Sequence, residues 1–128
     1  MRRNLLKITL LSALAALPLA AQTPPKTTDV LVMLTIKPGI AREQVMKVMT
    51  QEIKDTVRLY LDGKIRQWFS RGDGRGVVFI LNAKDVAEAH AIMDELPLAK
   101  ENLADYEFTP LAPLNPLRVL IGDAPAKP

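Results

Sequence analysis

The chain has 128 residues, no cysteine and a single histidine, with 17 basic residues (Lys+Arg) against 14 acidic ones (Asp+Glu). Three of the basic residues lie in the first 21 positions and every acidic residue follows them, so the remaining chain has no net charge. A nucleic-acid-binding protein needs an excess of Lys and Arg to displace counterions, and this balance argues against that class. The lack of Cys excludes disulfides, and with one His it argues against a zinc site.

Residues 1–21 have the pattern of a secretory signal peptide. A basic start containing Arg2, Arg3 and Lys7 precedes an apolar run that is too short to span a bilayer. The chain after Ala21 is therefore expected to be periplasmic or secreted, without membrane contact once the signal is cleaved. An uncleaved N-terminal anchor is the alternative. No Cys follows the apolar run, which excludes a lipoprotein.

Residues 22–28 are polar and contain two prolines, which indicates a linker. The first strand is predicted at Asp29–Lys37, and because both of its faces are apolar it should be central in a sheet. A long helix is predicted at Ala41–Leu61 and ends at Gly63. We expect its inner face to be an apolar stripe with helical spacing, formed by Val45, Met49, Ile53, Val57 and Tyr60.

The second half of the chain predicts three more strands and a second helix. The strands are Lys64–Arg71, Val77–Asn82 and Leu103–Leu111, and Gly72–Gly76 forms the turn between the first two. The Gly-rich turn lacks a Gly-Lys-Ser/Thr sequence and does not lead into a helix, so it is read as a hairpin rather than a phosphate loop. Asp85 and Glu88 form a capping box at the start of the second helix, and Pro97 is expected to end it. Residues 112–128 are a Pro-rich tail.

The order β-α-β-β-α-β predicts an α+β domain of the ferredoxin-like type over residues 29–111. The first and third strands are then central, the second and fourth are edges, and both helices cover one face of the sheet. The other face is also apolar, and an uncovered apolar face favours association with another protein surface. We therefore expect a homodimer in which two sheets pack face to face.

Three segments carry a resemblance to a known family. They are Gly63-Lys64-Ile65-Arg66-Gln67-Trp68, the Leu96-Pro97-Leu98 stop, and the acidic-aromatic strand Asp105-Tyr106-Glu107-Phe108. Over Asp29–Leu117 the chain resembles the muconolactone isomerase-like proteins of the dimeric α/β-barrel superfamily. The resemblance implies a sheet that closes a barrel with a partner's sheet, and a proton transfer within a small unsaturated acid or lactone without a cofactor. The family has Arg-His where this chain has Arg66-Gln67.

Arg66 and Trp68 are the first candidate ligand-binding residues, because alternation along a strand places them on one face. Arg66 would pair with a ligand carboxylate while Trp68 stacks on the ligand. The alternative is a solvated Arg and a packed Trp. Glu107 on the last strand is expected to face Arg66 across the dimer and to act as a general base. A structural ion pair or a solvated strand face is the alternative for Glu107.

Tyr106 and His90 complete the candidate site. Tyr106 points to the opposite side of its strand from Glu107 and would orient a ligand carbonyl, unless it is simply a core residue. His90 is a candidate acid or base, or else a half-buried helix residue. The superfamily also includes haem-handling and monooxygenase-like proteins, but a lone His90 argues against haem ligation. The two functional hypotheses are a cofactor-independent isomerase and a non-catalytic binding or assembly module.

Overall fold

The computed structural model describes residues 26–114 and 121–122. Its elements in chain order are β1 (Asp29–Ile36), α1 (Arg42–Leu61), β2 (Ile65–Ser70), β3 (Gly76–Leu81), α2 (Val86–Met93), α3 (Pro97–Lys100) and β4 (Ala104–Leu111). The four strands form one antiparallel sheet in the order β2-β3-β1-β4. The prediction of an α+β chain with central first and third strands is confirmed, and the arrangement is compatible with a small ferredoxin-like fold. The predicted signal peptide and most of the predicted tail lie outside the described residues.

The core lies between the helices and one face of the sheet. Val30, Val32 and Leu34 of β1 are buried, and they are in register with Leu81, Phe79 and Val77 of β3. Alternate residues of a strand point to the same side, so these positions form a continuous apolar layer. The helical elements complete the core with Ala89, Ile92, Met93, Leu96 and Leu98. Burial of each of the larger aliphatic side chains stabilises the fold by about 1.5–3 kcal/mol.

The opposite face of the sheet has no helix over it among the described residues. Leu31 and Met33 of β1 lie on this face beside Ile80 and Val78 of β3, and all four are only half-buried. Phe69 of β2 pairs with Val78 and is 56% exposed. We call this surface the open face. The protomer therefore has the uncovered apolar sheet face that the alternation in the sequence predicts.

Helix α1 buries a different row of residues from the one predicted. Of the predicted inner stripe, Ile53 is 54% exposed and Tyr60 is 49% exposed. The buried residues of the helix are instead Glu52 and Thr56. The predicted stripe was wrong as the buried row, although Val45 and Met49 of the stripe still lie towards the sheet. Both buried polar residues have hydrogen-bond partners that permit their burial.

The Leu96-Pro97-Leu98 segment also differs from its prediction. Helix α2 already ends at Met93, and Pro97 does not end a helix but begins α3. Proline suits the first position of a helix because the backbone N–H that it lacks would have no intrahelical acceptor there. The predicted cap of α2 is confirmed, since the Asp85 side chain accepts a hydrogen bond from the Glu88 N–H at 2.8 Å.

The start of β3 requires a glycine. A Cβ at Gly76 would lie 1.9 Å from the Leu34 carbonyl oxygen, whereas a Cβ at Gly72 would meet no atom within 4 Å. We predict that Gly76→Ala lowers the free energy of unfolding by about 2 kcal/mol or more, since the central β1–β3 pair has to separate to accept the methyl group. Gly72→Ala in the same hairpin is the matched control and should stay within about 1 kcal/mol of the wild type. Urea denaturation measures both, and an unchanged midpoint for Gly76→Ala would contradict this packing.

Candidate functional site

A cavity of about 370 Å³ lies between α1 and the helix-facing side of the sheet. Its volume is within the range of about 300–1,000 Å³ that is typical of small-molecule sites. Most of its wall is apolar, with contributions from Leu34, Val45, Met49, Ile53, Val77 and Phe79. Such a wall favours the carbon skeleton of an organic molecule over an ion or a sugar.

Glu52 is the one carboxylate among the residues that line this cavity. It is only 5% exposed. Burial raises the pKa of the Glu52 carboxyl, the backbone hydrogen bond from Leu98 lowers it, and the nearby charge of Asp55 raises it further. The raised pKa means that Glu52 takes up a proton more readily than an ordinary surface glutamate, which is a frequent property of functional carboxyl groups.

The Leu-Pro-Leu segment supplies the hydrogen bond that makes this burial possible. The backbone N–H of Leu98 donates to Oε2 of Glu52 at 2.9 Å, across 46 residues of chain. The first N–H groups of a helix have no intrahelical acceptor, and Pro97 at the first position leaves the next amide free to bind a carboxylate. Glu52 therefore both faces the cavity and holds α3 against α1.

Two further polar groups lie near Glu52. The Thr56 hydroxyl donates to the Glu52 backbone carbonyl at 2.7 Å, so its hydrogen is used within the helix. The Tyr106 hydroxyl is buried and has no hydrogen-bond partner among the described residues. Burial and the negative charges of Glu52 and Asp94 raise the pKa of Tyr106 well above its ordinary value, so this hydroxyl remains protonated and is a donor without an acceptor.

Trp68 forms the aromatic side of the cavity. Its ring stacks on Tyr60 of α1, with 6.0 Å between centroids and 4° between planes, and it meets Phe79 at 6.4 Å. Contacts on two sides fix the indole plane, which suits it to stack on a flat ligand. Trp68 lines this cavity, and its predicted contact with a ligand stays a prediction.

The β2–β3 hairpin places two cations at the mouth of the cavity. Arg71 donates to the Thr35 hydroxyl at 2.8 Å and forms an ion pair with Asp73. Asp73 also accepts the Arg75 backbone N–H at 2.9 Å, and this hydrogen bond is the main reason why the pKa of Asp73 is lowered. The Arg75 side chain lines the cavity and has no ion-pair partner among the described residues. The mouth therefore carries a positive charge that is available to an anionic group.

Arg66 lies apart from Trp68. A register shift in the β2–β3 pairing falls between Ile65 and Gln67, with Arg66 as the extra residue. Such a bulge breaks the simple alternation of side chains along the strand. Arg66 forms an ion pair with Asp29 and donates to the Asn82 side chain at 3.1 Å, whereas Trp68 faces the helices. The expectation that these two residues share a strand face was wrong.

Glu107 and His90 lie outside the cavity wall. Glu107 is in register with Met33, so it is exposed on the open face, and Tyr106 points to the helix side as expected. The exposed His90 ring stacks on Phe108 with 3.7 Å between centroids. The proposed catalytic roles of Glu107 and His90 stay predictions. The cavity brings Trp68 together with Glu52, and sequence reasoning had assigned no role to Glu52.

A signal for Glu52 was nevertheless present in the sequence. Glu52 follows Val45 by seven residues and precedes Leu59 by seven, so all three lie on one side of a helix. A single charged residue in the middle of such a row marks either a misplaced stripe or a buried functional group. The sequence analysis followed the apolar stripe through Ile53 and Tyr60 and did not consider the row that contains Glu52.

Residues 26–114 and 121–122 contain no group of three or more metal-ligating side chains that could hold an ion. Within the same ranges no helix combines the length and the apolar character needed to cross a membrane. We found no protein-family model that matches the chain, and no match among curated proteins.

The ionisation of Glu52 gives a test of its environment. Because folding raises the pKa of Glu52, the stability contributed by its carboxyl is fully present below the ordinary glutamate range and is lost as the pH rises through the raised value. The Gln carbonyl of Glu52→Gln can still accept the Leu98 N–H but cannot ionise. We therefore predict that the free energy of unfolding of the wild type, relative to that of Glu52→Gln, decreases when the pH is raised from about 4 to about 8.

Urea denaturation at both pH values measures this difference. Glu43→Gln, at an exposed position in the first turn of the same helix, is the matched control. A relative stability that is constant with pH for Glu52→Gln, or equal to that of Glu43→Gln, would contradict a buried, proton-binding Glu52.

Proposed function

We propose that the chain is an exported, dimeric protein of the muconolactone isomerase-like type, which binds a small organic molecule in the cavity beneath α1. The observation that carries this proposal is the buried Glu52 in the wall of a mostly apolar cavity. A buried ionisable group with a raised pKa in a pocket is a frequent mark of a functional site.

The cavity favours a flat, unsaturated acid or lactone as its ligand. The apolar wall and the Trp68 ring would hold the carbon skeleton, and the Arg75 guanidinium at the mouth would attract a carboxylate. A protonated Glu52 donates a hydrogen bond to a carbonyl oxygen, and an ionised one accepts a proton from carbon. The apolar wall, the Arg75 guanidinium and Glu52 would thus contact the carbon skeleton, the carboxylate and the carbonyl group of such a molecule.

The proposed reaction is a cofactor-independent isomerisation. The Glu52 carboxylate would remove a proton from a carbon that is acidified by a conjugated carbonyl group. The electron pair of the broken C–H bond would delocalise towards that carbonyl. The same proton would then return from Glu52 to another carbon of the conjugated system, so that the double bond moves and no atom is gained or lost. A base whose pKa lies closer to the working pH is more efficient in both steps.

The open face supports the dimer in this proposal. Leu31, Met33, Val78 and Ile80 are half-buried in the protomer, and Phe69 is largely exposed. A second copy packed on this face would remove these side chains from water, at a gain of roughly 25 cal/mol for each Å² of apolar surface that is buried. Two four-stranded sheets joined in this way would form the barrel that the resemblance implies.

One observation favours a second candidate function, a non-catalytic binding or assembly module. The Oε2 atom of Glu52 already accepts the Leu98 N–H, and this bond alone gives the carboxyl a structural role at the start of α3. The two functions differ in what Glu52→Gln does, because the amide keeps an acceptor for Leu98 but cannot transfer a proton.

The test uses the chain from Gln22 onward with a panel of unsaturated lactones and their acids in deuterated water. NMR would follow both the change of double-bond position and the exchange of carbon-bound protons with solvent. We predict turnover by the wild type and a loss of about 100-fold or more in Glu52→Gln, with ligand binding largely retained. Glu43→Gln should match the wild type. Binding without any exchange or turnover would favour the module, and turnover that survives in Glu52→Gln would remove Glu52 from the reaction.

A further inference from the structure

We infer that Tyr106 is a positioning residue for Glu52, and that its buried hydroxyl donates a hydrogen bond to the Glu52 carboxylate when that group is ionised. This inference rests on the role of Glu52 in the proposed function. It assigns to Tyr106 a contact with a side chain of the protein rather than with the carbonyl group of a ligand.

The Tyr106 hydroxyl is a buried donor without an acceptor. It has no hydrogen-bond partner among the described residues, and a hydroxyl that is removed from water without a partner lowers the stability of a fold. Tyr106 is in register with Leu34, so its ring lies on the helix side of the sheet, as the cavity does. Tyr106 is not one of the residues that line the cavity. A ligand held there does not reach the hydroxyl directly, and we expect its acceptor to belong to the protein.

Helix α3 joins the part of the structure that carries Glu52 to the part that carries Tyr106. The Leu98 N–H donates to Glu52 Oε2 at 2.9 Å, and the Leu98 carbonyl accepts the Leu103 N–H at 2.9 Å, immediately before β4. Tyr106 follows Leu103 by three residues. The charge of Glu52 also acts on the phenol more strongly than that of Asp94 does, which supports the closeness of the two side chains.

The Glu52 carboxyl can accept more hydrogen bonds than it receives. An ionised carboxylate has about four positions at which it can accept, and the described residues fill one of them with the Leu98 N–H. Because Glu52 is only 5% exposed, little water can fill the others. A hydroxyl that donates to a carboxylate forms a bond about twice as strong as one between neutral groups. The bond from the phenol therefore belongs to the ionised form of the carboxyl.

The other charged groups around Glu52 do not replace this donor. On α1 the charge of Asp55 opposes the ionisation of Glu52, and on α2 Asp94 is also negative. The two cations of the cavity wall, Arg71 and Arg75, belong to the β2–β3 hairpin, and neither donates to the carboxyl among the described residues. The buried phenol is therefore the donor that is available when the carboxyl loses its proton.

The experiment is an NMR titration of the Glu52 side-chain carboxyl carbon, without ligand, in the chain from Gln22 onward. We expect the midpoint to be higher in Tyr106→Phe than in the wild type by about one pH unit or more, since the ionised form alone loses a hydrogen bond to a charged group. Tyr60→Phe is the matched control. It removes the hydroxyl of the other tyrosine, which is half-exposed and stacks on Trp68, and it should leave the midpoint unchanged.

Urea denaturation gives a second measurement of the same bond. Tyr106→Phe should lower the free energy of unfolding more at about pH 8, where Glu52 is more ionised, than at about pH 4. In a Glu52→Gln background the effect of Tyr106→Phe should be the same at both pH values, because no charge is left to strengthen the bond. A pH-dependent effect that persists in this background would overturn the inference.

The remaining outcomes separate Tyr106 from the proposed reaction. A Glu52 midpoint that is unchanged or lower in Tyr106→Phe would overturn the inference, and turnover of an unsaturated lactone by the wild type would still retain the proposed function. A higher midpoint in a protein that turns over none of the lactones would retain Tyr106 as the partner of Glu52 and discard the isomerisation.

Discussion

The hydrogen bond from the Leu98 N–H to the Glu52 carboxylate is the contact on which the site depends. It joins the middle of α1 to the first turn of α3, and it supplies the buried carboxyl with one hydrogen-bond donor. Without it, Glu52 would be a charge in an apolar wall with nothing to offset its desolvation. The contact therefore fixes the position of the Glu52 carboxyl relative to the start of α3.

The two sides of the sheet differ in what lies over them. On the helix side, α1 stands over a cavity whose mostly apolar wall also contains Glu52 and Thr56. On the open face the apolar side chains of β1 and β3 lie beside polar residues of β4, which include Glu107 and Thr109. The sheet therefore separates the cavity from a partly apolar surface that no helix covers among the described residues.

Features set by local patterns were predictable from the sequence. Apolar residues on both faces identified β1 and β3 as central strands. Gly63, Asp85 and the turn at Gly72–Gly76 marked boundaries through their own backbone or capping preferences. Features set by contacts between distant segments were not. The bulge at Arg66 depends on how β2 pairs with β3, and the burial of Glu52 depends on an amide 46 residues away. The sequence analysis missed Glu52 for that reason, and the predicted contact of Trp68 with a ligand stays a prediction.

The most direct test of Glu52 as the functional group of this cavity is an NMR titration of its side-chain carboxyl carbon, alone and with an unsaturated lactone acid. A midpoint above that of ordinary glutamates, which moves when the ligand is added, is the predicted result. A midpoint in the ordinary glutamate range would contradict the assignment, and so would a midpoint that does not move when the ligand binds elsewhere. Glu52 would then serve only as the acceptor for the Leu98 N–H at the start of α3.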